Sequence, residues 1–201
     1  MPAMVNSTSQ TTDLLAAVLA DLEAVVSQIT AERLHDPTPC SEWDVEQLRD
    51  HTLGWLTTFA AGFADPDGRA PTADIATYSA PADPAREVRQ AAALLSQALR
   101  AGAAERPLWL GENSMPGDLA LGMILWEYQV HGWDLARATG QPWGPPAVAS
   151  EASLAFAPAM LTDEYQGEGK AFGIRVAVPV DASPLDRLLG LSGRTPSWSS
   201  E

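Results

Sequence analysis

Three side chains in the sequence have the chemistry to share one divalent metal ion: His51, Glu127 and His131. Glu127 and His131 are four residues apart, so on an α-helix they lie next to each other on one face. Two imidazoles and one carboxylate suit Zn(II), and they also accept Fe(II) or Ni(II). Because three protein ligands leave at least one coordination position open, such a site could also bind water or a substrate atom.

The sequence places all three residues on apolar helix faces. His51 follows Leu48 by three residues and precedes Trp55 by four, so it shares their inward face. A buried imidazole or carboxylate without a partner is costly, and a shared ion would remove that cost for all three residues. Two other interpretations stay open from spacing alone: a plain polar pair at Glu127 and His131, or a hydrogen-bonded cluster without an ion.

Composition and charge narrow the class of protein. The chain has 201 residues, 46% of them hydrophobic and 19% charged, which is typical of a folded domain. The formal net charge is −14 and no Lys/Arg cluster could follow a phosphate backbone, so we do not expect nucleic acid as a partner. The sequence has neither a signal-peptide pattern nor an apolar run near the ~20 residues of a membrane span, which predicts a cytoplasmic protein.

Two predicted helices come first in the chain. Apolar residues recur at helical spacing over about 13–33, which predicts the first helix. Asp44 and Gln47 have the pattern of a capping box, and this pattern predicts a second helix over about 45–63 that carries His51.

Two further long helices complete a predicted four-helix core. Asp83 as an N-cap predicts a third helix over about 84–102. A fourth helix is predicted over about 116–139, where Gly140 stops it, and it carries the other two candidate ligands. The Asp-, Pro- and Gly-rich stretch 64–84 between the second and third helices is predicted to be a long loop, either a lid or simply mobile.

The remaining residues predict a C-terminal extension of the bundle. A shorter fifth helix is predicted over about 146–161, and Ser183 with Pro184 predicts a last short helix over 184–189. Between them, alternating apolar residues predict an extended segment, which cannot form a sheet alone: Phe172, Ile174, Val176, Val178 and Val180.

Other residues have weaker indications of a role. Asp134 follows His131 by three residues and could orient it, although a polar cap or a salt bridge to an arginine is the alternative. Cys40 is the sole cysteine, which excludes an internal disulfide, and we expect a structural rather than a reactive thiol. Several tryptophans could belong to the core or line a pocket, with Trp55 the best pocket candidate: Trp43, Trp55, Trp126 and Trp133.

Three segments carry a family resemblance. They are Pro-Thr-Pro-Cys-Ser-Glu-Trp-Asp at 37–44, which precedes Leu48 and His51; Glu-Tyr-Gln-Val-His-Gly-Trp-Asp at 127–134; and the closing stretch 182–196. The first two resemble the metal-binding domain of mycothiol-dependent maleylpyruvate isomerases, a part of the DinB-like superfamily. The third resembles small, stand-alone relatives of these enzymes.

The resemblance implies a fold and a metal site. It implies an all-α, DinB-like four-helix bundle in a single domain, with a core over about 13–140 and an extension of short helices and an extended segment over about 146–201. It also implies that His51, Glu127 and His131 hold the metal, for which zinc is the first expectation. The isomerases have a further C-terminal domain, whereas about 60 residues follow the fourth helix here, so maleylpyruvate is not assigned as the substrate.

Two functional hypotheses follow. The first is a metal-dependent transferase or isomerase that uses a low-molecular-weight thiol, mycothiol by resemblance, with a small electrophilic substrate, because a metal deprotonates a bound thiol. The second is a non-catalytic protein in which the same three residues form a structural metal site, or which uses them to sense metal or a thiol. A homodimer is compatible with either hypothesis.

Overall fold

The structure, a computed structural model, describes residues 7–72, 74–162, 164–167 and 173–200. Most of this part of the chain is helical, and the elements in chain order are α1 (Thr8–Ser27), α2 (Val45–Ala64), α3 (Pro84–Arg100), strands β1 (Leu108–Leu110) and β2 (Asn113–Met115), α4 (Gly117–Ala138), α5 (Ala147–Met160) and α6 (Pro184–Leu191). The two strands pair antiparallel.

The first four helices form the bundle that the sequence predicts. Helix α1 packs against α3 and α4, and α2 packs against the same two helices. The interior between them is apolar and excludes solvent, with fully buried side chains from all four helices: Leu19, Leu22, Leu48, Leu53, Leu95, Leu121 and Ile124. The all-α fold class is therefore confirmed. No helix in the described part of the chain is long and apolar enough to cross a membrane.

The two N-terminal helices differ in how well their ends were predicted. In α2 the Asp44 carboxylate accepts the Gln47 N–H at 2.9 Å while the Gln47 side chain accepts the Asp44 N–H at 3.1 Å, so the predicted capping box is confirmed. The prediction of 13–33 for the first helix was wrong at both ends. The Ser7 hydroxyl caps α1 earlier, and 31–33 form a separate 3-10 turn because the chain already turns at Gln28.

The β1–β2 hairpin was missed, because the sequence predicts a loop there. Each strand has only three residues, too short for an alternating pattern to be visible. Gly111 lies in the turn with a φ of +65°, a conformation that glycine adopts without strain.

The C-terminal extension packs on the outer side of α4. Side chains of α4, α5 and α6 form a second buried cluster: Trp126, Val130, Trp133, Ala157, Leu161, Leu188 and Leu189. The predicted extended segment forms no strand over 173–180: the Val176 N–H donates to the Gly190 carbonyl, while Ile174 and Val180 are 65% and 87% exposed. Alternation was misleading there because no second strand pairs with this segment in the described residues. Phe172 lies outside the described residues.

Candidate metal centre

Helices α2 and α4 bring the three predicted ligands together. Glu127 and His131 lie one turn apart on α4, and His51 lies on the facing side of α2. The two helices are joined beside the site by the Tyr128 hydroxyl, which donates to the Thr52 carbonyl at 3.3 Å. Because each of these two residues is the direct neighbour of a candidate ligand, this bond fixes the spacing of the ligand-bearing turns.

The three side chains form one cluster. Glu127 Oε2 lies 3.3 Å from His131 Nε2, and the rings of His51 and His131 meet edge to face with centroids 5.5 Å apart. The His131 and Glu127 side chains are 12% and 23% exposed, so the cluster is partly open to solvent.

Trp43 covers the two histidines. Its ring centroid lies 4.3 Å from that of His51 and 6.2 Å from that of His131. The loop before α2 holds it there, because the Thr38 hydroxyl bonds to both the Cys40 and the Trp43 carbonyls at 2.9 and 2.8 Å. The aromatic residue of the site is therefore Trp43.

Trp55, the best pocket candidate from the sequence, instead stacks on Phe59, with ring centroids 5.2 Å apart. A place for Trp55 in a pocket at the site stays a prediction. Trp126 and Trp133 belong to the second buried cluster. This division could not be predicted from the sequence, because all four tryptophans lie in or next to helices.

The two histidines have opposite electrostatic surroundings. Burial and the neighbouring His131 lower the pKa of His51 to about 4, so its imidazole is neutral at pH 7 and can offer a lone pair. Burial also acts to lower the pKa of His131, but its hydrogen bonds to Asp134 and Glu127 and their charges outweigh burial and raise that pKa to about 9.

Asp134 holds the other nitrogen of His131. Its Oδ2 atom lies 3.2 Å from His131 Nδ1, and the Asp134 side chain is fully buried. Arg194 pairs with this carboxylate, with Nη2 to Oδ2 at 3.0 Å. The two alternatives that the sequence left open for Asp134, orienting His131 and pairing with an arginine, are thus realised together.

The donor set suits a divalent ion. With Nδ1 engaged by Asp134, His131 presents Nε2 toward Glu127. Two donors bound at ~2.0–2.1 Å to one tetrahedral ion lie about 3.3 Å apart, and Glu127 Oε2 and His131 Nε2 are separated by 3.3 Å. In the described part of the chain, no group of three or more His, Cys, Asp or Glu side chains has an arrangement that could hold a metal ion as it stands. Metal ligation by His51, Glu127 and His131 therefore stays a prediction.

Cys40 lies near the site but is not poised to react. Its burial raises the pKa of the thiol to about 11, against the opposing effect of Arg194. Arg194 Nη2 lies 3.5 Å from the sulfur. The expectation of a structural thiol agrees with this environment, because the reactive thiolate form is scarce at neutral pH.

Arg194 was not singled out by the sequence. It lies 60 residues after Asp134, outside any helical repeat, and an isolated arginine gives no signal of its own. The one available hint was its place in the closing stretch that carries the family resemblance.

Comparison with known proteins identifies the family. The model of the mycothiol maleylpyruvate isomerase N-terminal domain matches residues 15–136, which include all three candidate ligands. The chain therefore belongs to this family.

Its relatives include two curated sequences from Mycobacterium tuberculosis, the uncharacterized proteins MT0763 of strain CDC 1551 and Rv0738 of strain H37Rv. Each is 33% identical over 198 residues, covering 96% of this chain and 98% of the relative. A search of solved structures finds YfiT from Bacillus subtilis, described as a probable metal-dependent hydrolase with an unusual four-helix bundle topology. That match has a TM-score of 0.49 and 18% identity, and covers 71% of this chain and 94% of YfiT.

Proposed function

We propose that this protein binds one divalent metal ion, zinc by preference, through His51, Glu127 and His131. We propose further that the metal-loaded protein is a thiol-dependent transferase or isomerase. The observation that carries the proposal is the cluster itself: two imidazoles and a carboxylate in contact, with Glu127 and His131 3.3 Å apart and partly open to solvent. Three ligands of this kind leave room for a further, exchangeable ligand.

Each ligand is prepared for its role by its surroundings. His51 is neutral at pH 7, because burial lowers its pKa to about 4. Asp134 accepts from His131 Nδ1 when that nitrogen carries the proton, which leaves Nε2 free to bind. Glu127 supplies a negative charge that reduces the net charge of the loaded site. Trp43 packs against the two imidazoles, whereas the Glu127 side chain is 23% exposed, so we expect a substrate to approach from the side of Glu127.

A divalent ion in this position would lower the pKa of a bound thiol and so supply a thiolate nucleophile at neutral pH. For S-transfer, the thiol would give its proton to solvent, and its sulfur would bond to an electrophilic carbon while the bond from that carbon to the leaving group breaks and the leaving group takes the electron pair. For isomerisation, the thiolate sulfur would add to a conjugated double bond, rotation would occur about the single bond that results, and expulsion of the sulfur would restore the double bond and the thiolate. Mycothiol is the proposed thiol because the family takes its description from it.

Metal uptake tests the first half of the proposal. Protein purified without chelator or added metal should contain about one divalent ion per chain. His51→Ala and His131→Ala should lose this ion, since each removes one of three ligands. His35→Ala is the matched control, because the His35 side chain is 78% exposed and pairs with Asp44 rather than with a candidate ligand. Wild-type protein that takes up neither zinc, nickel nor iron would refute the metal site.

Thiol chemistry tests the second half. Zinc-loaded protein should accelerate the reaction of mycothiol with small electrophiles over the rate of the free thiol, and His51→Ala should abolish the acceleration. Metal-loaded protein without any acceleration, together with a fourth protein ligand at the ion, would instead identify a structural or sensing site. A metal-free chain that unfolds outright would favour the same rival, because structural sites contribute folding energy directly.

A further inference from the structure

Arg194 is the one buried cation that reaches the candidate metal centre from the C-terminal extension within the described residues. Its side chain is 9% exposed, and its Nε and Nη2 atoms face both oxygens of the fully buried Asp134 carboxylate at 3.0–3.4 Å. The Nη1 atom donates to the Ser192 carbonyl at 2.9 Å. The guanidinium is thus held in one orientation by partners on two elements.

The backbone that carries Arg194 is itself anchored to α4. The Trp126 indole N–H donates to the Ser192 hydroxyl at 2.8 Å, and both side chains are buried. Gly193 has a φ of +80°, and the Arg194 N–H donates to the Leu189 carbonyl at the end of α6. This tight turn after α6 aims the arginine back toward the bundle.

A chain of contacts therefore runs from the extension to a candidate ligand. Arg194 holds Asp134, and Asp134 holds His131 Nδ1. A carboxylate on the far nitrogen of a ligating histidine fixes the ring orientation and the tautomer, and raises the basicity of the nitrogen that binds the metal. A buried carboxylate can do this only if its own charge is compensated and its rotamer is fixed.

We propose that Arg194 is a positioning residue of the metal centre, which sets the orientation of His131 through Asp134 and thereby strengthens metal binding. This inference rests on the proposed metal site. It makes the C-terminal extension a working part of that site, although the family model ends at residue 136, before the extension begins.

The test is metal affinity in folded variants, with Zn(II) and Co(II) as probes. Arg194→Ala and Asp134→Asn should weaken Zn(II) binding about 10–100-fold, the usual effect of losing such a supporting partner. Arg194→Lys keeps the charge but not the fork of donors, so it should recover part of the affinity. The absorption bands of bound Co(II) should change in Arg194→Ala and Asp134→Asn, because the His131 ring would be free to reorient in these two variants.

Arg137→Ala is the matched control. Arg137 also lies on α4 and also ties the last residues to it, since its Nε donates to the Trp198 carbonyl at 2.8 Å, but none of its hydrogen bonds reaches Asp134. We expect wild-type metal affinity and an unchanged Co(II) spectrum. Circular dichroism at the titration temperature checks that each variant is folded. If Arg194→Ala does not fold, Arg194→Lys and Asp134→Asn are used for the test instead.

The outcomes separate the two proposals. The role of Arg194 would be overturned, and the metal centre left intact, if three folded variants all bind metal with wild-type affinity and spectrum: Arg194→Ala, Arg194→Lys and Asp134→Asn. An equal loss in Arg137→Ala would also overturn it, because the effect would then belong to docking of the chain end. Wild-type protein that binds neither ion would overturn the metal centre, and the role of Arg194 with it.

Discussion

His51 and His131 are in contact, but their protonation states differ at pH 7. His51 is neutral because burial lowers its pKa, whereas the two carboxylates around His131 raise the pKa of that residue to about 9. The protonated His131 ring carries one N–H on Nδ1, which faces Asp134, and one on Nε2, which faces Glu127. An ion bound at the proposed site would displace the Nε2 proton, so we expect metal uptake to release a proton.

Cys40 should be a slow thiol in the native protein. Burial raises its pKa from 9.0 to about 11, so at pH 7.5 the thiolate fraction is about 100-fold smaller than that of an ordinary thiol. We expect alkylation by iodoacetamide to be about 100-fold slower than in urea-unfolded protein, and to accelerate about tenfold per pH unit up to about pH 10.

Mass spectrometry of the intact chain measures the reaction directly, because Cys40 is the sole cysteine and every adduct reports on it. Native protein that labels as fast as the unfolded chain at pH 7.5 would contradict this environment for Cys40. It would also reopen the question of a reactive thiol beside the metal centre.

Helix α2 depends on its N-terminal cap. The Asp44 carboxylate accepts the Gln47 N–H in a complete capping box, and loss of such a cap costs about 1 kcal/mol. Asp44→Ala should therefore lower the free energy of unfolding by about that amount, measured by urea denaturation. Asp44→Asn is the matched control, because asparagine caps as well as aspartate does. Equal stability of the alanine and asparagine variants would show that the cap contributes nothing.

The same helix shows what the sequence could and could not predict. The start of α2 was predicted correctly because a capping box is a local signal that four consecutive residues carry by themselves. The predicted end of α1 was wrong because apolar residues continue at helical spacing to Ile29, whereas the backbone already turns at Gln28. Apolar periodicity reports which side chains face the core, and it does not report where the hydrogen bonds of a helix stop.

The sequence predicts the parts of the candidate site whose residues belong to local patterns. Glu127 and His131 are neighbours on one helix, so their pairing follows from spacing, and the family resemblance pointed to His51 as the partner across the bundle. Arg194 could not be found this way, because its contact with Asp134 depends on how α6 docks. Trp43 was among four candidates, but its selection depends on the loop that Thr38 closes before α2.

At the scale of the whole molecule, two buried clusters share helix α4. One fills the four-helix bundle, and the other lies between α4, α5 and α6. Met123, Trp143 and Trp198 pack against both clusters. This continuity predicts that the bundle and the extension unfold as one cooperative unit.

Leu188→Ala tests this cooperativity. Leu188 is fully buried in the second cluster, and removal of such a side chain costs about 2–5 kcal/mol. We expect a single urea transition, shifted to lower denaturant, with coincident curves from tryptophan fluorescence and far-ultraviolet circular dichroism. Leu19→Ala, in the bundle core, should behave alike. A separate early transition in Leu188→Ala alone would mean that the extension unfolds independently.

The 60 residues that separate Asp134 from Arg194 have a consequence for the order of events during synthesis. The ribosome completes all four bundle helices before it makes α6 and the turn that follows. Until Arg194 emerges, the Asp134 carboxylate lacks the guanidinium that pairs with it in the complete chain. Under the proposed role of Arg194, the metal centre would be completed only when the last helix docks, so a chain that stalls before residue 194 would lack this support for His131.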